Sequence, residues 1–209
     1  MDEKLQELID KAEQGDVDAM ILVSKYYKNG ILTEQDDVKA HEYRLMAAER
    51  GDAGSEFVVG MDYCFGFGAE DNLALGLKYL QSAADKNIAQ AQFTLASLYD
   101  GGNEEVRAYL KEEDCNAYLE KAAKQGHADA QTMLGDMYVK GKGRKRDLKQ
   151  AAFWFCCAYL HDESDGEAKE KIDSLIKASF NGISKSKIEK MLAEIKSQYP
   201  QYTRFRKNN

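Results

Sequence analysis

Three histidines, four cysteines and two Ser-x-x-Lys runs are the residues of this chain equipped for metal, thiol or acyl chemistry. His41-Glu42 opens like the HExxH zinc motif, in which histidines four apart on a helix hold the metal and the glutamate serves as base. Position 45 is Leu, so the second ligand is missing. His127, in the run Gly126-His127-Ala128-Asp129-Ala130, is expected to be a solvated turn residue, and His161 stands in a third, unrelated context. Cys64, Cys115, Cys156 and Cys157 form no CxxC pair, and no histidine cluster accompanies them. Their irregular spacing points to reduced thiols and not to a disulfide framework. Ser174-Leu175-Ile176-Lys177 and Ser184-Lys185-Ser186-Lys187 lack the partner motifs of serine acylases. Gly66-Phe67-Gly68 and Gly141-Lys142-Gly143 match neither the dinucleotide-binding nor the P-loop pattern. The expected catalytic set, metal site and cofactor are therefore none.

Charge narrows the partners. The net charge of −7 and pI near 5.1 repel a phosphate backbone, so nucleic acid is not an expected partner. One basic cluster stands against this background: Lys140, Lys142, Arg144, Lys145, Arg146 and Lys149. Lys142, Arg144, Lys145 and Arg146 are taken as a secondary patch suited to an acidic protein surface. No run approaches the roughly 18 apolar residues that span a bilayer. The acidic start, Met1-Asp2-Glu3, is unlike a secretory signal. A cytoplasmic location is expected, although a leader replaced by a new Met would leave the same start.

The elements that would carry these residues follow from internal repetition. Gly15, Gly51, Asn87 and Gly126 are spaced by 36, 36 and 39 residues. At fixed distances beyond each stand a small residue (Ala19, Ser55, Ala91, Ala130), another (Ser24, Gly60, Ala96, Gly135), a tyrosine (Tyr27, Tyr63, Tyr99, Tyr138) and a glycine (Gly30, Gly66, Gly102, Gly141). Upstream of each later anchor lies a second block: Tyr43, Ala47, Ala48; Tyr79, Ala83, Ala84; Tyr118, Ala122, Ala123; Trp154, Ala158, Tyr159, with Asp162 at the next anchor position. Apolar and small residues three and four apart mark one face of a helix, and small residues at facing positions let two helices approach closely. The glycines suit left-handed helix ends, and Asp16, Asp37, Asp71 and Asp147 are placed to cap helix starts. The third copy has three extra residues within Gly101–Asp114. A lone helix pair cannot bury its apolar stripe, so the pairs must stack.

Ala130-Gln131-Thr132-Met133-Leu134-Gly135-Asp136-Met137-Tyr138-Val139-Lys140-Gly141-Lys142-Gly143 resembles the AxxxLGxxYxxGxG signature of the Sel-one-like repeat (SLR) family, and Ala151-Ala152-Phe153-Trp154-Phe155 resembles its KAxxWY continuation. The resemblance implies an all-α, tetratricopeptide-like α/α solenoid, a right-handed superhelix of four helix-pair repeats. The expected organisation is an N-terminal capping helix at 1–15 and repeats at 16–51, 52–87, 88–126 and 127–162. Capping helices at 163–198 and a flexible basic tail at 199–209, including Arg204–Lys207, complete it.

By analogy with tetratricopeptide repeats, the first helix of each pair lines a concave groove. Counting from Ser24, Gly60, Ala96 and Gly135, the offsets −3, +1, +4 and +5 should face it. They select Lys25 and Lys28, then Phe57, Met61 and Phe65, then Phe93, as a partner-binding surface. The resemblance implies a non-enzymatic adaptor or inhibitor of a protein or peptide partner; some small bacterial relatives look like immunity proteins against secreted toxins. Two alternatives stand beside it. One is the β-lactam binding or hydrolysis linked to cysteine-rich relatives, whose regular cysteines Cys64 and the Cys156–Cys157 pair do not match. The other is a self-assembling scaffold, a homodimer through the terminal helices.

Overall fold

Helix starts and stops recur with the period of the sequence. The computed structural model describes residues 2–102, 104–161, 166–178 and 183–203, and among them every regular element is helical. Asp162 and the basic residues Arg204–Lys207 lie outside the described residues. The chain forms two compact units, Met1–Leu110 and Lys111–Asn209. The first contains α1 (Glu3–Glu13), α2 (Val17–Asn29), α3 (Asp37–Glu49), α4 (Ala53–Phe65), α5 (Leu73–Asp85), α6 (Ala89–Gly101) and the short α7 (Glu104–Tyr109), each of α1 to α6 packed on its neighbours in sequence. The second contains α8 (Glu112–Lys124), α9 (Ala128–Lys140), α10 (Leu148–His161), α11 (Gly166–Ala178), α12 (Lys185–Gln198) and a 3-10 turn, Pro200–Thr203. There α10 is the hub, touching α9, α11, α12 and the turn.

The small-residue columns set the distance between paired helices. Gly60 on α4 faces Gly76 and Leu80 on α5: a Cβ on Gly60 would lie 2.8 Å from the Leu80 side chain and 3.0 Å from the Gly76 carbonyl oxygen. In the preceding pair Ser24 fills the matching place and donates its hydroxyl to the Ala40 carbonyl at 2.7 Å. In α9 and α10 the aromatic Phe155 lies directly on Gly135. Tyr27 stacks on Tyr43 at 5.9 Å and Tyr63 on Tyr79 at 6.1 Å, so the conserved-spacing aromatics close the gap beside each crossing.

Turns between pairs are left-handed at the anchor, with φ of 100° at Gly15, 87° at Gly51, 69° at Asn87 and 92° at Gly126. Asparagine is the side chain that best tolerates this region, which explains the one non-glycine anchor. Gly30, Gly66 and Gly141 end α2, α4 and α9 in the same conformation. Gly102 departs from the expected left-handed cap: its φ is −75° and ψ 155°, and its missing Cβ makes room for the Leu98 carbonyl and Val106 where the insertion folds as α7. Two expected caps are shifted by one residue. Asp36 and Asn72 accept the capping N–H groups of Lys39 and Leu75, whereas Asp37 lies in the first turn of α3 and pairs with Lys28. Asp16 and Asp147 cap as expected.

The segment from 199 onward is not a loose tail where it is described. Tyr202 is buried, its ring stacks on Tyr199 at 5.6 Å and lies 6.2 Å from Trp154, while Tyr199 meets Phe153 at 5.7 Å. An aromatic cluster therefore fastens the 3-10 turn to α10.

Valine at Gly135 must displace the Phe155 ring, and valine at Gly60 must displace Leu80; each is expected to cost about 1–3 kcal/mol by overpacking. Gly54 on α4 is open, with only the Asp52 carboxylate at 3.5 Å, so Gly54→Ala should leave stability unchanged or raise it by about 0.5 kcal/mol. Urea unfolding followed by circular dichroism measures all three.

Candidate functional site

Exposure along the first helices follows a gradient set by the crossing. At offset −3, next to the pair axis, Phe57 and Phe93 are half-buried and Thr132 is buried. At +1, Lys25 is exposed and Met61 half-buried; at +4, Lys28 is exposed. At +5, Phe65 is 47% exposed. Phe57, Met61 and Phe65 are four residues apart and share one face of α4, and that face opens toward the C-terminal end of the helix. There the structure adds a residue the sequence argument passed over. Phe67, inside the glycine loop, is 52% exposed, and its ring lies 6.1 Å from that of Phe65. Lys28 ties the loop to the previous repeat, its ammonium 5.8 Å from the Phe67 centroid and 3.1 Å from the Asp37 carboxylate. That ammonium, donating to Asp37, holds the Asp37 carboxyl below the usual carboxylate range. A bulky apolar residue between two loop glycines was the sequence signal for Phe67, since the fourth copy has Lys142 there.

The basic cluster splits. Lys142, Lys145 and Arg146 are exposed, and Arg146 donates through Nε to the Val139 carbonyl at 3.1 Å. Arg144 turns inward: it lies 4.8 Å over the Tyr138 ring and donates to Glu120 at 3.1 Å, with its side chain 11% exposed. Arg144 thus fastens the loop to α8 and does not belong to the exposed basic set.

Chemistry-bearing side chains are used as struts. His41 Nδ1 and Asp62 Oδ2 are 2.8 Å apart, joining α3 to α4, and the His41 ring meets Tyr63 edge-on at 5.0 Å. Arg44 occupies the column held by Leu80 and Phe155 in other copies and donates to Ser24 at 3.2 Å; burial pulls its pKa down. Gln92 and Gln131, fully buried, donate to the Ala84 and Ala123 carbonyls at 2.9 and 3.0 Å, satisfying the ends of the preceding helices. Glu56 holds the matching place in the second copy and accepts from Ser82 at 2.9 Å and Lys86 at 2.8 Å. These glutamines and this glutamate were invisible to an argument from small and aromatic columns.

His127 is not a solvated turn residue: half-buried, it caps α9 by accepting the Ala130 N–H on Nδ1 at 3.3 Å. The four cysteines are free, and burial pushes the Cys64 and Cys115 thiols up to about 11 and Cys156 to about 12, with Cys157 also raised. Such thiols are protonated near neutral pH and poor nucleophiles. Among the described residues no group of three His, Cys, Asp or Glu is arranged to hold a metal ion, and no described helix is long and apolar enough to cross a membrane.

A model of the Sel1 repeat matches residues 17–52, 53–88, 89–127 and 128–162. Chitin synthase regulator SKT5 of Malassezia restricta is 33% identical over 137 residues, covering 64% of this chain and 9% of that protein. Chitin synthase regulatory factor 1 of Schizosaccharomyces pombe is 30% identical over 160 residues, covering 74% and 34%. The crystal structure of a Sel1 repeat protein from Oxalobacter formigenes superposes with a TM-score of 0.70 at 27% identity, over 82% of this chain and 48% of that one. The chain spans about a tenth and a third of the lengths of the two regulators.

Burial holds the His127 imidazole below its ordinary value of 6.5, and its capping nitrogen accepts only while unprotonated. With the folded value below the unfolded one, this stabilisation is complete above the unfolded pKa and is lost as pH falls through the folded pKa. His127→Asp, matching Asp16 and Asp52 at the same column, is expected to reduce the drop in urea midpoint between about pH 7 and about pH 5. An unchanged drop would show that the cap does not titrate with folding.

Proposed function

Because the chain belongs to the Sel1 repeat family, we propose that it is a non-enzymatic binding module that takes a protein or peptide partner on the face of α2, α4 and α6. The observation that carries this reading is the stripe Phe57, Met61 and Phe65, which passes from half-buried to exposed along one face of α4 with Lys25 and Lys28 exposed on α2. Aromatic and methionine side chains are the residue types enriched in the cores of protein interfaces, and flanking lysines supply a polar rim. Phe93 on α6 extends the set in the next repeat. The exposed Lys142, Lys145 and Arg146 offer a second contact for an acidic surface.

Two relatives carry names of chitin synthase regulators, and what we extend from them is the manner of action: the module alters another protein by covering part of its surface. An immunity protein that silences a secreted toxin is one form of that action. The polar side chains support the reading from the other direction, because His41, Asp62, Arg44 and Gln131 are engaged in holding helices together.

A pull-down from native lysate with wild type, Lys25→Glu and Phe57→Ala/Phe93→Ala, quantified by mass spectrometry after circular dichroism establishes folding, tests this. A partner retained by wild type and at least tenfold depleted with both variants is expected, about 1.4 kcal/mol or more of binding. Equal recovery with all three would place the contact off this face.

A further inference from the structure

Five of the six large apolar residues exposed among the described residues, Ile31, Leu32, Val38, Phe65 and Phe67, lie in or beside two loops of the first unit; Tyr109 is the sixth. The loops are joined. Lys28 bridges Phe67 and Asp37, and the Gly68 backbone rests against the Asp37 carbonyl, beside Val38. From this edge we infer a docking surface for a basic segment of a partner protein that carries bulky apolar side chains; the inference rests on the protein-binding reading above and moves the contact to the loop ends of the helices.

Three observations carry it. Leu32 has φ of 60°, at the place where Gly68 and Gly143 have 73° and 64°. A leucine held in a conformation that favours glycine, and 42% exposed, does not serve the core, and such outliers gather at binding sites. Phe65 and Phe67 are ring neighbours, Val38 follows the Asp37 carbonyl that Gly68 meets, and Ile31 and Leu32 sit in the loop between Lys28 and Asp37. Exposed apolar residues gathered on joined loops are the form that marks interaction surfaces. The rim, finally, is acidic. Asp36 and Asp37 are neutralised by Lys39 and Lys28, whereas Glu34, Glu70 and Asp71 are exposed and meet no cation within ion-pair distance among the described residues.

Charge decides the occupant. Carboxylates around an apolar patch repel anionic lipid surfaces and nucleic acid and attract lysine and arginine. A second copy offers the basic loop of the fourth repeat, but its exposed side chains, Lys142, Lys145 and Arg146, bring no apolar anchor for Phe65 and Phe67 to receive. A cationic segment with leucine-like or aromatic anchors meets both requirements.

The test is a titration of the ¹⁵N-labelled full chain with a synthetic amphipathic peptide of leucine and lysine, against the same peptide with glutamate for lysine, read by amide chemical shifts. The lysine peptide is expected to shift residues 28–39 and 64–71 and to bind at least tenfold more weakly to Phe65→Ser/Phe67→Ser. Glu34→Lys/Glu70→Lys/Asp71→Lys, which alters only exposed carboxylates, should weaken it similarly and flatten the salt dependence. Shifts confined to other residues, equal binding of the glutamate peptide, or unchanged affinity in the charge-reversal variant would overturn the inference. So would light scattering that shows a dimer lost in the phenylalanine variant. A natural partner that Lys25→Glu loses and both edge variants keep would overturn it while leaving the binding-module reading standing; loss of every protein and peptide interaction would remove both.

Discussion

Two helices can approach only as far as the bulkiest atoms at their crossing permit, and in this chain that distance is set by single side chains. Gly60 and Gly76 bring backbone against backbone, and Leu80 fills the space on the far side. Everything beside the crossing is fitted to that separation: the stacked Tyr63–Tyr79 pair, the left-handed turn that reverses the chain, and the cap that starts the next helix. Where the first copy has Ser24 for the glycine, the separation is kept by a hydrogen bond to the opposite carbonyl, and an arginine replaces the leucine. The same geometry is thus reached once through apolar contact and once through a polar network, at the cost of partly burying a guanidinium that then needs Ser24 and nearby carboxylates.

The same constraint decides which residues are left for partners. Positions near the pair axis are consumed by packing, so Phe57 and Phe93 are only partly available, whereas Lys28 and Phe65, toward the helix C-termini, are exposed. Charged residues show the same division. Arg144, over Tyr138 and paired with Glu120, is part of the scaffold, while Lys142 and Lys145 beside it are surface.

Most of the scaffold was legible because its determinants recur. A residue type that returns at fixed spacing in four copies, as Tyr27, Tyr63, Tyr99 and Tyr138 do, can be assigned a place without any knowledge of its neighbours. Determinants that vary between copies were not legible. The caps at Asp36 and Asn72 were misplaced by one residue because an acidic or amide neighbour stood next to each, and only backbone geometry distinguishes them. The capping role of His127 was hidden because histidine is uncommon there, and Gln92 and Gln131 because their column holds Met20 and Glu56 in the other copies. The candidate surface was read less well than the scaffold. Offsets borrowed from a related repeat selected Phe65, which is exposed, but they cover only helical positions, and Phe67 and Leu32 stand in loops that differ from copy to copy.

The order of packing in the first unit has a consequence for how the chain reaches this state. From α1 to α6 each helix rests on the one before and the one after, so nearly every stabilising contact joins residues a few dozen positions apart at most. Loop-closure entropy is then small for each step, and ordering can begin at any pair and spread by adding one helix at a time. Such a unit should reach its native arrangement quickly. The α4 face and the loop edge beside it are thus built by contacts among α3, α4 and α5, and their formation does not wait on distant parts of the chain.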